Sequence, residues 1–156
     1  MKILHITGYY NEDLAYQENM LTRGQHELGN EVLVLTSNIL YDIPSLEGSR
    51  LKNIGETILD GITIIRTKAI IEIKKNSFVY FSNVLSNLKR ISPDYIFIHD
   101  KGAYLPQIIW YKCFINKNVI LRMDFHSDFT NSLNSRIGFV FHYFFKLFFQ
   151  IFDFAF

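Results

Sequence analysis

This chain predicts an α/β domain with a doubly wound, mostly parallel sheet and helices on both faces, and three observations carry that expectation. Short apolar runs end in polar residues, segments with helical spacing separate them, and glycine or proline marks the joints. The first 38 residues show the pattern. Lys2 to Thr7 is an apolar run that stops at Gly8, and Glu31 to Ser37 is another. Between them Leu14, Met20, Leu21 and Leu28 fall close to a helical repeat, with Gly29 where a helix would end. Strand, crossover helix and parallel strand form a right-handed unit, and in such sheets ligands bind at the carboxyl ends of the strands. Gly8 to Ala15 is therefore the first candidate site loop.

The remaining elements follow in chain order. Asn38 to Asp60 is polar and turn-rich, with Pro44, Gly48 and Gly55, and reads as a long surface excursion. Gly61 to Arg66 is the next strand. Phe78 to Arg90 reads as a helix because Val84, Leu85 and Leu88 recur at helical spacing. Pro93-Asp94 is a turn, and Tyr95 to His99 is a buried strand with a polar end. Ala103 to Phe114 is a helix that tolerates Pro106 in its first turn, where a missing N–H costs nothing. Val119 to Met123 is the fifth strand. Near-continuous apolar strands alternating with helices imply a sheet covered on both faces. The common order, third-second-first-fourth-fifth, makes the first and fourth strands neighbours. Around their ends it would gather Gly8-Tyr9-Tyr10, His99-Asp100-Lys101 and Asp124-Phe125-His126-Ser127-Asp128.

Composition narrows the class. A chain of 156 residues, 49% hydrophobic, fits one domain with a full core. Sixteen basic against 15 acidic side chains argue against a broadly basic nucleic-acid binder. The lone Cys113 excludes an internal disulfide, fits a reducing compartment, and reads as a small apolar filler on a helix. Lys2 precedes only a brief apolar run without a small-residue cleavage pattern, so no secretory signal is expected and the expected compartment is the cytoplasm.

The tail differs from the rest. Nine of the 15 phenylalanines fall between Phe139 and Phe156. A helix of about 20 residues from Ile137 would be about 30 Å long, enough to span a bilayer. However, His142, Lys146, Gln150 and Asp153 recur at helical steps and make one polar stripe. Lys146 at mid-bilayer would cost about 2.5–3.5 kcal/mol. A helix that covers the sheet or lies on a membrane surface is the better expectation.

Several clusters carry candidate chemistry. Gly8 stands without a Gly-x-Gly-x-x-Gly pattern, so no dinucleotide cofactor is expected. The helix that follows has Tyr16, Gln17 and Glu18 in its first turn and could offer its N–H groups to a phosphate; Glu18 equally serves the helix dipole. Asp124, His126 and Asp128 alternate, so an extended backbone puts them on one side. They could bind a divalent metal, orient a histidine for acid–base work, or form a structural polar turn. No second ligand cluster backs a metal, and none is expected. Lys68, Lys74 and Lys75 flank Ile70, Ile71 and Ile73, a patch for anionic lipid or, more simply, a solvated edge.

A family resemblance draws these pieces together. Met1-Lys2-Ile3-Leu4 opens the first strand, Tyr16-Gln17-Glu18-Asn19 opens the helix, and Leu28-Gly29-Asn30-Glu31-Val32 leads into a strand closed by Thr36-Ser37. Asp60-Gly61-Ile62 precedes a strand ending in Arg66, Pro93-Asp94-Tyr95-Ile96 leads to His99, and Phe125-His126-Ser127 follows the fifth strand. In this order, over about 130 residues, they resemble the N-terminal domain of family 4 glycosyltransferases, which have the GT-B fold of two Rossmann-like domains. The resemblance implies sugar transfer from a nucleotide-sugar donor to a glycan or lipid-linked acceptor, with retention and without a bound metal or cofactor. His126 then matches the histidine beside the transferred sugar, which makes it the catalytic candidate. Tyr9, Tyr10, Tyr16, Gln17, His99, Asp100, Lys101, Asp124 and Asp128 become the acceptor-side candidates. Gly8 and Ala15 stand where many relatives approach the donor diphosphate.

Two departures qualify it. Ala15-Tyr16 replaces the Gly-Gly of many relatives, and Asn30 replaces the usual histidine before Glu-Val. Family members also continue into a donor-binding domain with two glutamates eight positions apart, a spacing no pair shows here. The expectation is one domain, 1–156, cut within a helix at 132–156, inactive alone and in need of a donor domain or partner chain. The alternative is a non-catalytic subunit that binds or docks on the inner membrane surface and pairs with a donor-binding chain. A phosphate-sensing regulator would share the architecture but lacks a supporting motif.

Overall fold

Lys2–Thr7 (β1) is buried on both faces because it lies mid-sheet, between parallel neighbours Glu31–Ser37 (β2) and Tyr95–His99 (β7). The structure is a computed structural model that describes residues 1–41, 49–73, 78–99, 102 and 104–124. Its other elements are Gln17–Glu27 (α1), Gly55–Leu59 (β3), Ile62–Thr67 (β4), Ala69–Ile73 (β5), Phe78–Phe81 (β6), Val84–Ile91 (α2), Leu105–Phe114 (α3) and Ile120–Asp124 (β8). The protein is mixed α/β, with a six-stranded sheet in the order β3-β4-β2-β1-β7-β8. All neighbouring strands there are parallel except β3 with β4. A separate two-stranded antiparallel sheet pairs β5 with β6.

The two faces of the large sheet are built differently. Leu4, Ile6, Leu33, Leu35, Ile65, Ile96, Ile98 and Leu121 share one apolar cluster with Val84, Leu88 and Ile91 of α2 and Leu105, Ile108 and Tyr111 of α3. Full burial of each such side chain is worth about 1.5–3 kcal/mol. Gln107 of α3 also accepts a hydrogen bond from the Leu85 N–H, which meets a first-turn donor of α2. On the opposite face, Val32, Val34, Ile62, Ile64 and Tyr10 form a smaller cluster.

Here α1 buries polar residues, Asn19 and Thr22, rather than an apolar stripe. Asn19 donates to the carbonyls of Asn11 and Glu12, and the Thr22 hydroxyl lies 3.3 Å from the Tyr10 hydroxyl. Met20 and Leu28, expected as packing positions, are exposed. The helix is seated by hydrogen bonds, each worth about 1 kcal/mol net, so apolar periodicity misplaces its inward face.

Three further expectations are corrected. The excursion at 38–60 contains a strand, β3, which turns back through Asp60-Gly61 onto β4. Both turn residues have positive φ, 50° and 79°, as a two-residue hairpin turn requires. The helix expected from Phe78 starts at Val84, because Phe78–Phe81 pairs with β5 and Asn83 takes a left-handed φ of 62°. The helix expected from Ala103 starts at Leu105, with Pro106 in its first turn. Asp94 gathers the amino ends of three strands: it accepts from and donates to the Lys2 backbone, and its carbonyl accepts from Ile120. Cys113 is half-buried on α3. The phenylalanine-rich tail and Lys74 and Lys75 lie outside the described residues.

A Cβ on Gly61 would come 2.3 Å from Nε2 of His26, in a backbone conformation that side chains resist. Gly61→Ala is expected to cost about 1–3 kcal/mol in urea unfolding. Combining it with His26→Ala should relieve the clash and leave about 1 kcal/mol of backbone strain.

Candidate functional site

The parallel registers align five strand ends. Arg66 pairs with Thr36, Thr36 with Thr7, Thr7 with His99, and His99 with Asp124. Equal register on a pleated sheet puts all five on one face, the face that carries α1. Strand-end hydroxyls then shape the loop after β1. Thr7 donates to the Tyr9 carbonyl at 2.9 Å, and Ser37 donates to the Gly8 carbonyl at 2.6 Å.

Arg66, 4% exposed, is the anchor of that loop. Its guanidinium donates to the carbonyls of Tyr10 and Ser37 and to the Glu12 carboxylate. Burial lowers the Arg66 pKa, opposed by the Glu12 charge. At the other end of the loop, Gln17 donates to Asp124 at 2.9 Å, which brings the start of α1 against the end of β8. A third tie runs outward. Tyr9 donates to Glu72 of β5 at 3.0 Å, and Arg50 holds the same carboxylate. Burial, then the Glu72 hydrogen bond and charge, raise the Tyr9 pKa, and burial raises that of Tyr10.

The expected site residues therefore separate. Gln17, His99 and Asp124 come together at the strand ends, and Ala15 and Tyr16 are exposed on the loop beside them. Gly8, Tyr9 and Tyr10 are buried in the loop's packing against the sheet. Asp100, Lys101, His126 and Asp128 lie outside the described residues. Among the described residues, no three His, Cys, Asp or Glu side chains are grouped to hold a metal.

Sequence reading missed His5, Gln25, Glu12 and Tyr104. His5 Nδ1 lies 2.8 Å from His99 Nε2, and His5 Nε2 lies 2.7 Å from Gln25 Oε1. The imidazoles stack at 5.1 Å, and Phe97 stacks on both. Burial holds the His5 pKa down to about 4, partly offset by Gln25. The Tyr104 hydroxyl donates to the His99 carbonyl, and a Cβ on Gly102 would fall 1.9 Å from the Tyr104 ring. A histidine in the middle of an apolar strand was the available signal for this network, because buried polar groups require partners.

This edge brings an exposed tyrosine, an amide and a carboxylate beside the buried imidazole of His99. No protein-family model, curated protein or solved structure matches the chain.

Glu12→Ala leaves Arg66 buried without its carboxylate and is expected to cost about 2–3 kcal/mol in urea unfolding. Lys52→Ala removes a more exposed partner of Glu12, 3.5 Å away, and should cost less than about 1 kcal/mol. His5 gives a pH signature. Its native pKa of about 4 lies below the unfolded value of 6.5, so the unfolded chain binds more protons between them. Stability therefore falls as pH drops through that window, by about 3 kcal/mol in full. His5→Gln should lose less stability than the wild type between pH 7 and pH 4, as read by unfolding midpoints.

Proposed function

We propose that this chain is the acceptor-binding half of a glycosyltransferase, and that its sheet is the doubly wound, Rossmann-like half of a GT-B fold. The observation that carries the reading is the 2.9 Å contact of Gln17 with Asp124 beside His99. It joins the start of the first helix to the end of the fifth parallel strand, where ligands sit in open α/β sheets. The resemblance in motif order supports the same reading, with His126 as catalytic residue and nucleotide binding assigned to a second domain or partner chain. No nucleic acid is required. The Arg66–Glu12 and Tyr9–Glu72 ties hold the loop in shape, so acceptor groups meet a preformed wall.

A direct test joins the chain to a donor-binding domain that carries two glutamates eight positions apart. The chain joined to such a domain is expected to transfer label from UDP-, GDP- or dTDP-sugars to membrane glycolipids. His126→Ala should lower turnover by about a hundredfold with little change in melting temperature. Absence of transfer from every donor, with both parts folded, overturns the reading. A second reading, a non-catalytic membrane-docking subunit, draws on the exposed Ile70, Ile71 and Ile73 of β5. Among the described residues no helix is long and apolar enough to cross a membrane, so attachment would be at a surface. That reading requires sedimentation with anionic vesicles and loss of it in Ile71→Asp.

A further inference from the structure

We propose that Gln25 is a positioning residue that acts through His5 to set the protonated nitrogen of His99. The inference rests on the polarity of two consecutive hydrogen bonds. The Gln25 side-chain oxygen has no proton to give, so His5 must carry its proton on Nε2 to make the 2.7 Å contact. His5 is neutral at pH 7, because burial holds its pKa near 4, and its Nδ1 is consequently a bare acceptor. The 2.8 Å contact from His5 Nδ1 then requires His99 to donate from Nε2. In a neutral ring that leaves His99 Nδ1 with a lone pair, so this nitrogen accepts hydrogen bonds.

The geometry keeps the relay in one alignment. His5 and His99 are 1% and 3% exposed, their rings lie 12° from parallel, and Phe97 stacks on both. Tyr104 holds the His99 carbonyl from the opposite side of the strand end. Rotation of either ring would break a buried hydrogen bond and this stack together. Gln25 lies on α1, and the same helix presents Gln17 to Asp124 next to His99 in register. One helix thus supplies a contact at the strand ends and sets the donor–acceptor pattern of the histidine there.

The test uses the full chain labelled with 15N-histidine and records two-bond proton–nitrogen correlations of the rings at pH 7. Expected are Nε2-protonated patterns for both His5 and His99. Gln25→Leu should mix the two His99 forms, and Gln25→Glu, which keeps an accepting oxygen, should restore the Nε2-protonated form. An Nδ1-protonated His99 in the wild type overturns the proposal, as does a His99 pattern unchanged in folded Gln25→Leu. If Gln25→Leu does not fold, Gln25→Ala is read in the same way, and an unchanged His99 pattern in it overturns the proposal. No turnover is needed, so this result is independent of whether sugar transfer is found.

Discussion

Unbroken parallel register on both sides of β1 is the constraint on which the rest of the structure depends. Thr7 is level with Thr36 on one side and His99 on the other, and these are level with Arg66 and Asp124 in turn. A shift of one residue in any of these pairings would turn that strand's inward side chains outward. It would also carry Arg66 away from Glu12, or His99 away from His5. The hydrophobic pattern that holds the register therefore also places every polar group at the strand ends.

The two faces of the sheet divide the labour. Under α2 and α3 lies a continuous apolar cluster, where tolerance to substitution is set by volume. Under α1 the seat is polar, with Asn19, Thr22, His5 and Gln25 each tied by hydrogen bonds to the loop or the sheet. Such a seat has fewer alternative packings, because every donor and acceptor must be met at once. The candidate site is built on this polar side.

Most strands were legible because burial on both faces makes them apolar over most of their length. The pairing of β1 with β2 and β7 follows from runs that need no partner to be recognised. β3 was illegible for the opposite reason: all five of its residues are exposed, so no alternation marks it. Asp60-Gly61 is a hairpin signal, but with no apolar alternation before it the pair marks only the start of β4. At the site, polar residues at strand ends could be picked out as types. Their partners could not, because Arg66 and Glu12, or His5 and His99, stand 54 and 94 residues apart. Tyr9 and Tyr10 looked like cleft residues from position alone, and only packing shows their hydroxyls turned to Glu72 and Thr22.

The bond from the Lys2 backbone to Asp94 spans 92 residues. β2 follows β1 closely in the chain, whereas the partner of the other edge of β1, residues 95–99, lies far downstream. Closing so long a loop is slow, and until it closes that edge of β1 has no partner strand. The central position of β1 sets a timetable for folding as well as the geometry of the finished sheet.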